Sequence, residues 1–161
     1  MSSPFFCLNK GYEMKLEKLF YVKENKLYTI SDDKTVDLTS LEKVLIKWSE
    51  VELEDELYNE EFLAELRNKL KQLDESNRFA ILIPVVDKEL KTEEQAELFT
   101  NAFNHTARRI KDCVSVAGFF IPKEIQEMNY TQSFTETLAV KHEQYVYFTD
   151  DKNTGSDFVM I

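Results

Sequence analysis

Glycine and proline are scarce in this chain, three of each in 161 residues. The three glycines, Gly11, Gly118 and Gly155, lie too far apart to build a Gly-x-x-x-x-Gly-Lys phosphate loop or a Gly-x-Gly-x-x-Gly dinucleotide turn, and none forms a Gly-x-Ser-x-Gly elbow. The same scarcity argues against collagen-like, low-complexity and many-turned all-β chains, and for a helix-rich one. Cysteine is also rare: Cys7 and Cys113 sit in no Cys-x-x-Cys or Cys/His spacing, so both read as free thiols and no metal site is expected. No apolar run approaches the roughly 18 residues of a membrane helix. The N-terminus MSSPFFCLNKGYE lacks the basic and apolar regions of a secretory signal, so a cytoplasmic location is expected. Bases are outnumbered, 20 against 30 acids, and the net charge of −10 repels phosphate backbones and anionic membrane surfaces. Neither direct nucleic-acid binding nor membrane binding is expected, and no cofactor is implied.

What is present is core material: 43% hydrophobic and 12% aromatic residues, in a length that suits one domain. Residues 1–13 read as an N-terminal extension, with Met14 an alternative start, and 14–161 as a single α/β domain. KLFYVKE (18–24) and KLYTIS (26–31) alternate apolar and polar residues around Glu24-Asn25, which predicts a β-hairpin at the edge or end of the sheet; VDLTS (36–40) follows. From there the apolar runs become nearly continuous: VLIKWSE (44–50), RFAILIPVVD (78–87) and VSVAGFFIPKE (114–124). Such runs predict parallel strands covered by helices on both sides.

Between them, residues 59–76 space Phe62, Leu63, Leu66, Leu70 and Leu73 at helical intervals, with Asn59 as N-cap. Residues 92–112 open with a Thr-x-x-Gln capping box and carry Ala96, Phe99, Phe103, Ala107 and Ile110 on one face. A third helix is expected within 131–144, a strand at 145–150 and a closing strand in FVMI. The fold class is α/β: an N-terminal β-hairpin followed by β-α-β-α-β-α-β with a mainly parallel sheet, either open or a half-barrel. A complete eight-stranded barrel needs about 200 to 250 residues.

Glu50, Asp87 and Glu124 end the three apolar runs at equal steps of 37 residues. Parallel adjacent strands bring Trp48, Glu50, Glu52, Asp87, Glu89, Lys123 and Glu124 to one edge of the sheet, where α/β proteins place their sites. Carboxylate pairs there serve as acid and base or as ligands for hard cations; solvated strand ends in an acidic protein account for the same pattern. The segment 50–61 holds seven acids in twelve residues, which suits a cation, a basic partner or mimicry of a phosphate backbone, and equally a helix N-terminus. It lacks the spacing of a calcium loop. His105 and His142 are lone histidines on helices, and Arg108, Arg109 and Lys111 complement a helix C-terminus. Aromatics on both faces of a strand, such as Phe119-Phe120 and Tyr145 to Phe148, require cover on both faces or an interface, which admits self-association.

KVLIKWSEVELEDELYNEEFLAELRNKL, FAILIPVVDKEL and ARRIKDCVSVAGFFIPKEI, over residues 43–125, resemble the early strands of cellulase-like glycoside hydrolase barrels. The likeness lies in a Trp-Ser-Glu-x-Glu strand end, a charged strand end and a Gly-aromatic strand ending in Glu. It implies that Glu124 occupies the place of the family's acid/base catalyst, with Trp48 as sugar platform. Lys123 stands where the family carries Asn, and the strand bearing the nucleophile has no counterpart, so the resemblance implies a half-barrel or a relative that no longer hydrolyses. Three functional expectations follow. The first is a non-enzymatic binding or protein-interaction domain with an acidic face at the strand ends and no confident catalytic residue. The second is a carbohydrate-binding or degenerate glycoside-hydrolase-like protein. The third is an acidic adaptor or inhibitor of nucleic-acid machinery.

Overall fold

The computed structural model describes residues 17–152 and 155–161; the expected 1–13 extension, Met14 and Cys7 lie outside the described residues. The chain runs β1 (Phe20–Lys23), β2 (Lys26–Thr29), β3 (Glu42–Lys47), α1 (Trp48–Val51), β4 (Glu52–Glu54), β5 (Leu57–Tyr58) and α2 (Glu60–Glu75). It continues with β6 (Ala80–Val85), α3 (Glu93–Arg109), β7 (Val116–Phe120), α4 (Lys123–Glu127), α5 (Thr131–Ala139), β8 (Val146–Thr149) and β9 (Val159–Met160). Five strands form one parallel sheet in the order β3-β6-β7-β8-β9, so the α/β class and the parallel strand–helix succession hold, and the sheet does not close into a barrel.

The hairpin forms as the alternation requires. Glu24 and Asn25 take φ of 51° and 64°, the left-handed pair that matches strand twist, and asparagine tolerates that region without glycine. Within VDLTS, residues 38–40 form a single 3-10 turn, because the Asp37 carboxylate accepts the Thr39 N–H at 3.0 Å and closes the backbone on itself. Both predicted caps are present: Asn59 Oδ1 accepts from the Phe62 N–H at 3.1 Å, and Thr92 and Gln95 make the reciprocal capping box. Their apolar stripes, Leu63, Leu66, Leu70 and Leu73 on α2 and Ala96, Phe99, Phe103 and Ala107 on α3, are buried.

The strands stop earlier than the apolar runs predict. Trp48, Ser49 and Glu50 belong to α1, and Lys123 and Glu124 to α4, which follows Pro122 at φ −60°. Pro122 is the N-cap of α4, its ψ of 147° still extended, and the helix begins at the next residue. The predicted third helix ends at Ala139 and the second at Arg109. The acidic segment 50–61 holds the end of α1, the two-stranded β4-β5 ribbon and the N-terminus of α2.

Cover on the sheet also differs from expectation. The helices share one face: Trp48, Leu63, Phe99, Ile125 and Phe134 pack with Val44, Ile46, Leu82, Phe119 and Tyr145. Consecutive strands laid side by side with crossovers of one hand put every helix on the same side. The opposite face is covered by the hairpin, where Phe20 and Leu27 cluster with Ile81, Ala117, Val146, Phe148 and Val159. The hairpin therefore lies across a face, not along an edge of the ladder.

Candidate functional site

The C-terminal strand ends hold two kinds of residue. Trp48, at the start of α1, is only 2% exposed; its indole N–H donates to Glu52 Oε1 at 2.7 Å and its ring meets Phe99 edge to face at 5.2 Å. Glu52 is 1% exposed, a burial that a carboxylate tolerates only with its oxygens bonded. Its Oε2 accepts the Glu56 N–H at 2.7 Å, and Lys88 Nζ lies 3.7 Å from Oε1 while donating to the Glu52 carbonyl at 2.7 Å. The same ammonium stands 5.1 Å from the Trp48 ring centroid, adding a cation–π contact.

Asp87 follows β6 and caps α1, accepting the Ser49 N–H at 2.9 Å and the Ser49 hydroxyl at 2.5 Å. Glu89 accepts from Gln95 Nε2 at 3.1 Å and faces Lys91 at 3.6 Å, an exposed cluster beside the N-terminus of α3. Glu50 and Glu124 are exposed, each in the first turn of a short helix, and among the described residues their side chains make no hydrogen bond or ion pair. Lys123 pairs with Glu127 at 3.7 Å. The seven expected residues thus divide: Trp48 and Glu52 join in one buried cluster, Asp87 fastens α1, and Glu50, Glu89, Lys123 and Glu124 face solvent.

Sequence reasoning missed Lys88 and Ser49, which lie beside predicted site residues and hold Glu52 and Asp87. The signal was the Trp48 to Glu52 spacing of four, one helical turn, hidden by reading the segment as strand. Missed too was a cleft of about 480 Å³ beside β8, lined by Lys18, Tyr21, Glu143, Tyr147 and Phe158 among others. Burial lowers the Lys18 ammonium pKa, opposed by the neighbouring Glu143 carboxylate.

His105 is an ordinary structural histidine: Nε2 lies 2.8 Å from Glu60 Oε2, its ring stacks on Tyr58 at 4.2 Å, and Arg109 Nε donates to Glu60 Oε1 at 2.8 Å. His142 is buried near the Tyr145 ring. Cys113 is free and buried; desolvation, aided by Asp112 and Asp74, pushes its thiol up to about 12, far from a nucleophile at neutral pH. Among the described residues no three His, Cys, Asp or Glu gather to hold a metal ion, and no helix is long and apolar enough to cross a membrane.

No protein-family model matches the chain, and no curated protein matches it. Among solved structures it resembles a GH5_18 glycoside hydrolase from Bifidobacterium longum subsp. infantis, with a TM-score of 0.52 and 9% identity over 66% of this chain. The matched part is 33% of that structure, so this chain spans about a third of its length. At that identity the likeness is one of fold alone.

Proposed function

We propose that the protein is a non-enzymatic interaction domain whose acidic surface at the C-terminal strand ends receives a basic segment of a protein partner. The observation that carries this reading is the employment of the carboxylates. Glu52 and Asp87 have their oxygens bonded within the fold and the Trp48 ring is covered, while Glu50, Glu89 and Glu124 face solvent. A two-carboxylate hydrolase needs paired carboxyl groups about 5 to 10 Å apart around a bound sugar. Solvated carboxylates on a chain of net charge −10 suit long-range attraction of a basic partner instead. The test is affinity capture from the native host with mass spectrometry, comparing the natural sequence with a Glu50→Lys, Glu89→Lys, Glu124→Lys variant. A partner retained by the former and lost by the folded variant supports the reading; equal capture by both overturns it.

The second reading, a carbohydrate-binding or degenerate glycoside-hydrolase-like protein, is favoured by the fold likeness to the GH5_18 enzyme. Saturable binding on a glycan array, or aryl-glycoside hydrolysis abolished by Glu124→Gln, would reverse the ranking.

A further inference from the structure

The two ends of the parallel sheet are finished differently. At one end the hairpin turn reaches β9: the Asn25 carbonyl accepts the Met160 N–H at 3.0 Å and the Asn25 N–H donates to the Ser156 carbonyl at 3.1 Å. At the other end, among the described residues, β3 has β6 on one side and no strand on the other. The Glu42 N–H donates to the Phe79 carbonyl at 2.9 Å, which sets the phase of the ladder. Alternate residues then turn outward, leaving the N–H groups of Lys43, Leu45 and Lys47 and the carbonyls of Lys43 and Leu45 on the open side. The same three side chains stand on the sheet face opposite the buried Val44 and Ile46, where the hairpin does not cover them; Leu45 is 64% exposed and both lysines are exposed.

An apolar residue between two lysines on an unpaired edge selects its neighbours by charge. Lysine on an edge strand repels ladder growth between copies. An antiparallel second copy centred on Leu45 sets Lys43 of one chain against Lys47 of the other, and like charges directly opposite destabilise a strand pair. A strand bearing carboxylates at those positions gains where the second copy loses.

We propose that the open edge of β3 is a docking site for an extended acidic segment of a partner protein, which adds a strand to the five-stranded sheet. Its apolar residue packs beside Leu45, and carboxylates two positions to either side pair with Lys43 and Lys47. Main-chain hydrogen bonds supply the affinity of such strand addition, and alternate side chains supply the specificity. The surface runs along β3 and reaches the acidic strand ends only at Lys47, and the inference does not rest on the function proposed for them.

The probe is a short, capped, fluorescein-labelled peptide with glutamates two residues either side of a central valine, read by fluorescence anisotropy. Saturable binding is expected, with amide shifts in the 15N NMR spectrum centred on Lys43, Leu45 and Lys47. Lys43→Glu with Lys47→Glu should weaken this peptide about tenfold and bind the lysine counterpart peptide in its place. N-methylation of the ladder-facing amides of the peptide, which leaves the protein untouched, should abolish binding. The proposal is overturned if neither peptide binds, if both bind the natural protein equally, if N-methylation changes nothing, or if the shifts map to another surface.

Discussion

The two layers that cover the parallel sheet are built from different material. On the helix face, aromatic rings are in succession: Phe99 meets Phe103 at 4.9 Å and Phe134 at 5.8 Å, and Phe134 meets Phe119 at 6.5 Å. On the hairpin face, among the described residues, the rings do not form such a succession: Phe20 meets Phe79 edge to face at 5.0 Å, Phe120 and Phe148 stand among mostly aliphatic side chains, and a polar latch at Asn25 fixes the turn. The helices are interleaved with the strands they cover, whereas the hairpin precedes them all and folds back. An open sheet of this kind buries its second face without closing into a barrel. Cohesion should therefore be greatest in the helix layer and most separable in the hairpin layer.

The largest test of that contrast is Phe99→Ala. Phe99 is fully buried at the centre of the ring succession and also meets Trp48. Truncation should cost about 3–5 kcal/mol of unfolding free energy by denaturant titration. A cost under about 1 kcal/mol would move the centre of the core elsewhere.

Gly118→Ala tests the sheet between the layers. Gly118 pairs with Val146 in β8, and a Cβ at that position would run into the Val146 carbonyl and its backbone neighbours. No rotamer relieves a clash with backbone, so the strands must part, at about 3 kcal/mol, the upper end for overpacking. Loss of Tm without loss of helical circular dichroism would place the damage in the β7–β8 pairing.

Much of the helix layer was legible because its signals are local. The stripe from Ala96 to Ala107 and the Thr92 capping box are fixed by spacing within one element. The hairpin was legible as a hairpin, but alternation reveals only that one face is wet, not which surface the dry face covers. The candidate site suffered most. Trp48 lies within the first apolar run and Glu124 ends the third, yet strand pairing stops short of both, at Lys47 and Phe120, and short helices begin. Whether a residue at such a boundary faces a cleft or the core depends on tertiary partners, Phe99 and Lys88 for Trp48, that lie far along the chain.

Asn25 separates the layers more directly. Its Nδ2 donates to the Gly155 and Phe158 carbonyls at 3.0 and 2.8 Å, and its φ is 64°. Asn25→Ala loses both bonds and strains the turn, and should cost about 1–2 kcal/mol. Asn25→Gly keeps the turn conformation and loses only the bonds. Hydrogen exchange should quicken at β1, β2 and β9 in both variants while α2 and α3 stay protected. Uniform loss of protection would show that the two layers open as one unit.

The smallest expected effect lies at the rim of the helix layer, where Arg67 Nε donates to Asp112 Oδ1 at 3.1 Å and Lys71 Nζ stands 3.6 Å from Oδ2. The Arg67 hydrogen bond holds the Asp112 carboxyl below its ordinary range against partial desolvation, with Lys71 assisting. A depressed carboxylate pKa contributes stability above the unfolded-state value, and that contribution disappears as pH falls through the folded-state value. The pair is half exposed, so solvent screening limits it to about 0.5 kcal/mol near neutral pH. Asp112→Asn should therefore differ from the natural protein slightly at neutral pH and not at all once the carboxyl is protonated. A difference that persists in acid would come from packing of the loop between α3 and β7, which would make the rim part of the helix layer's cohesion and not an ionic addition to it.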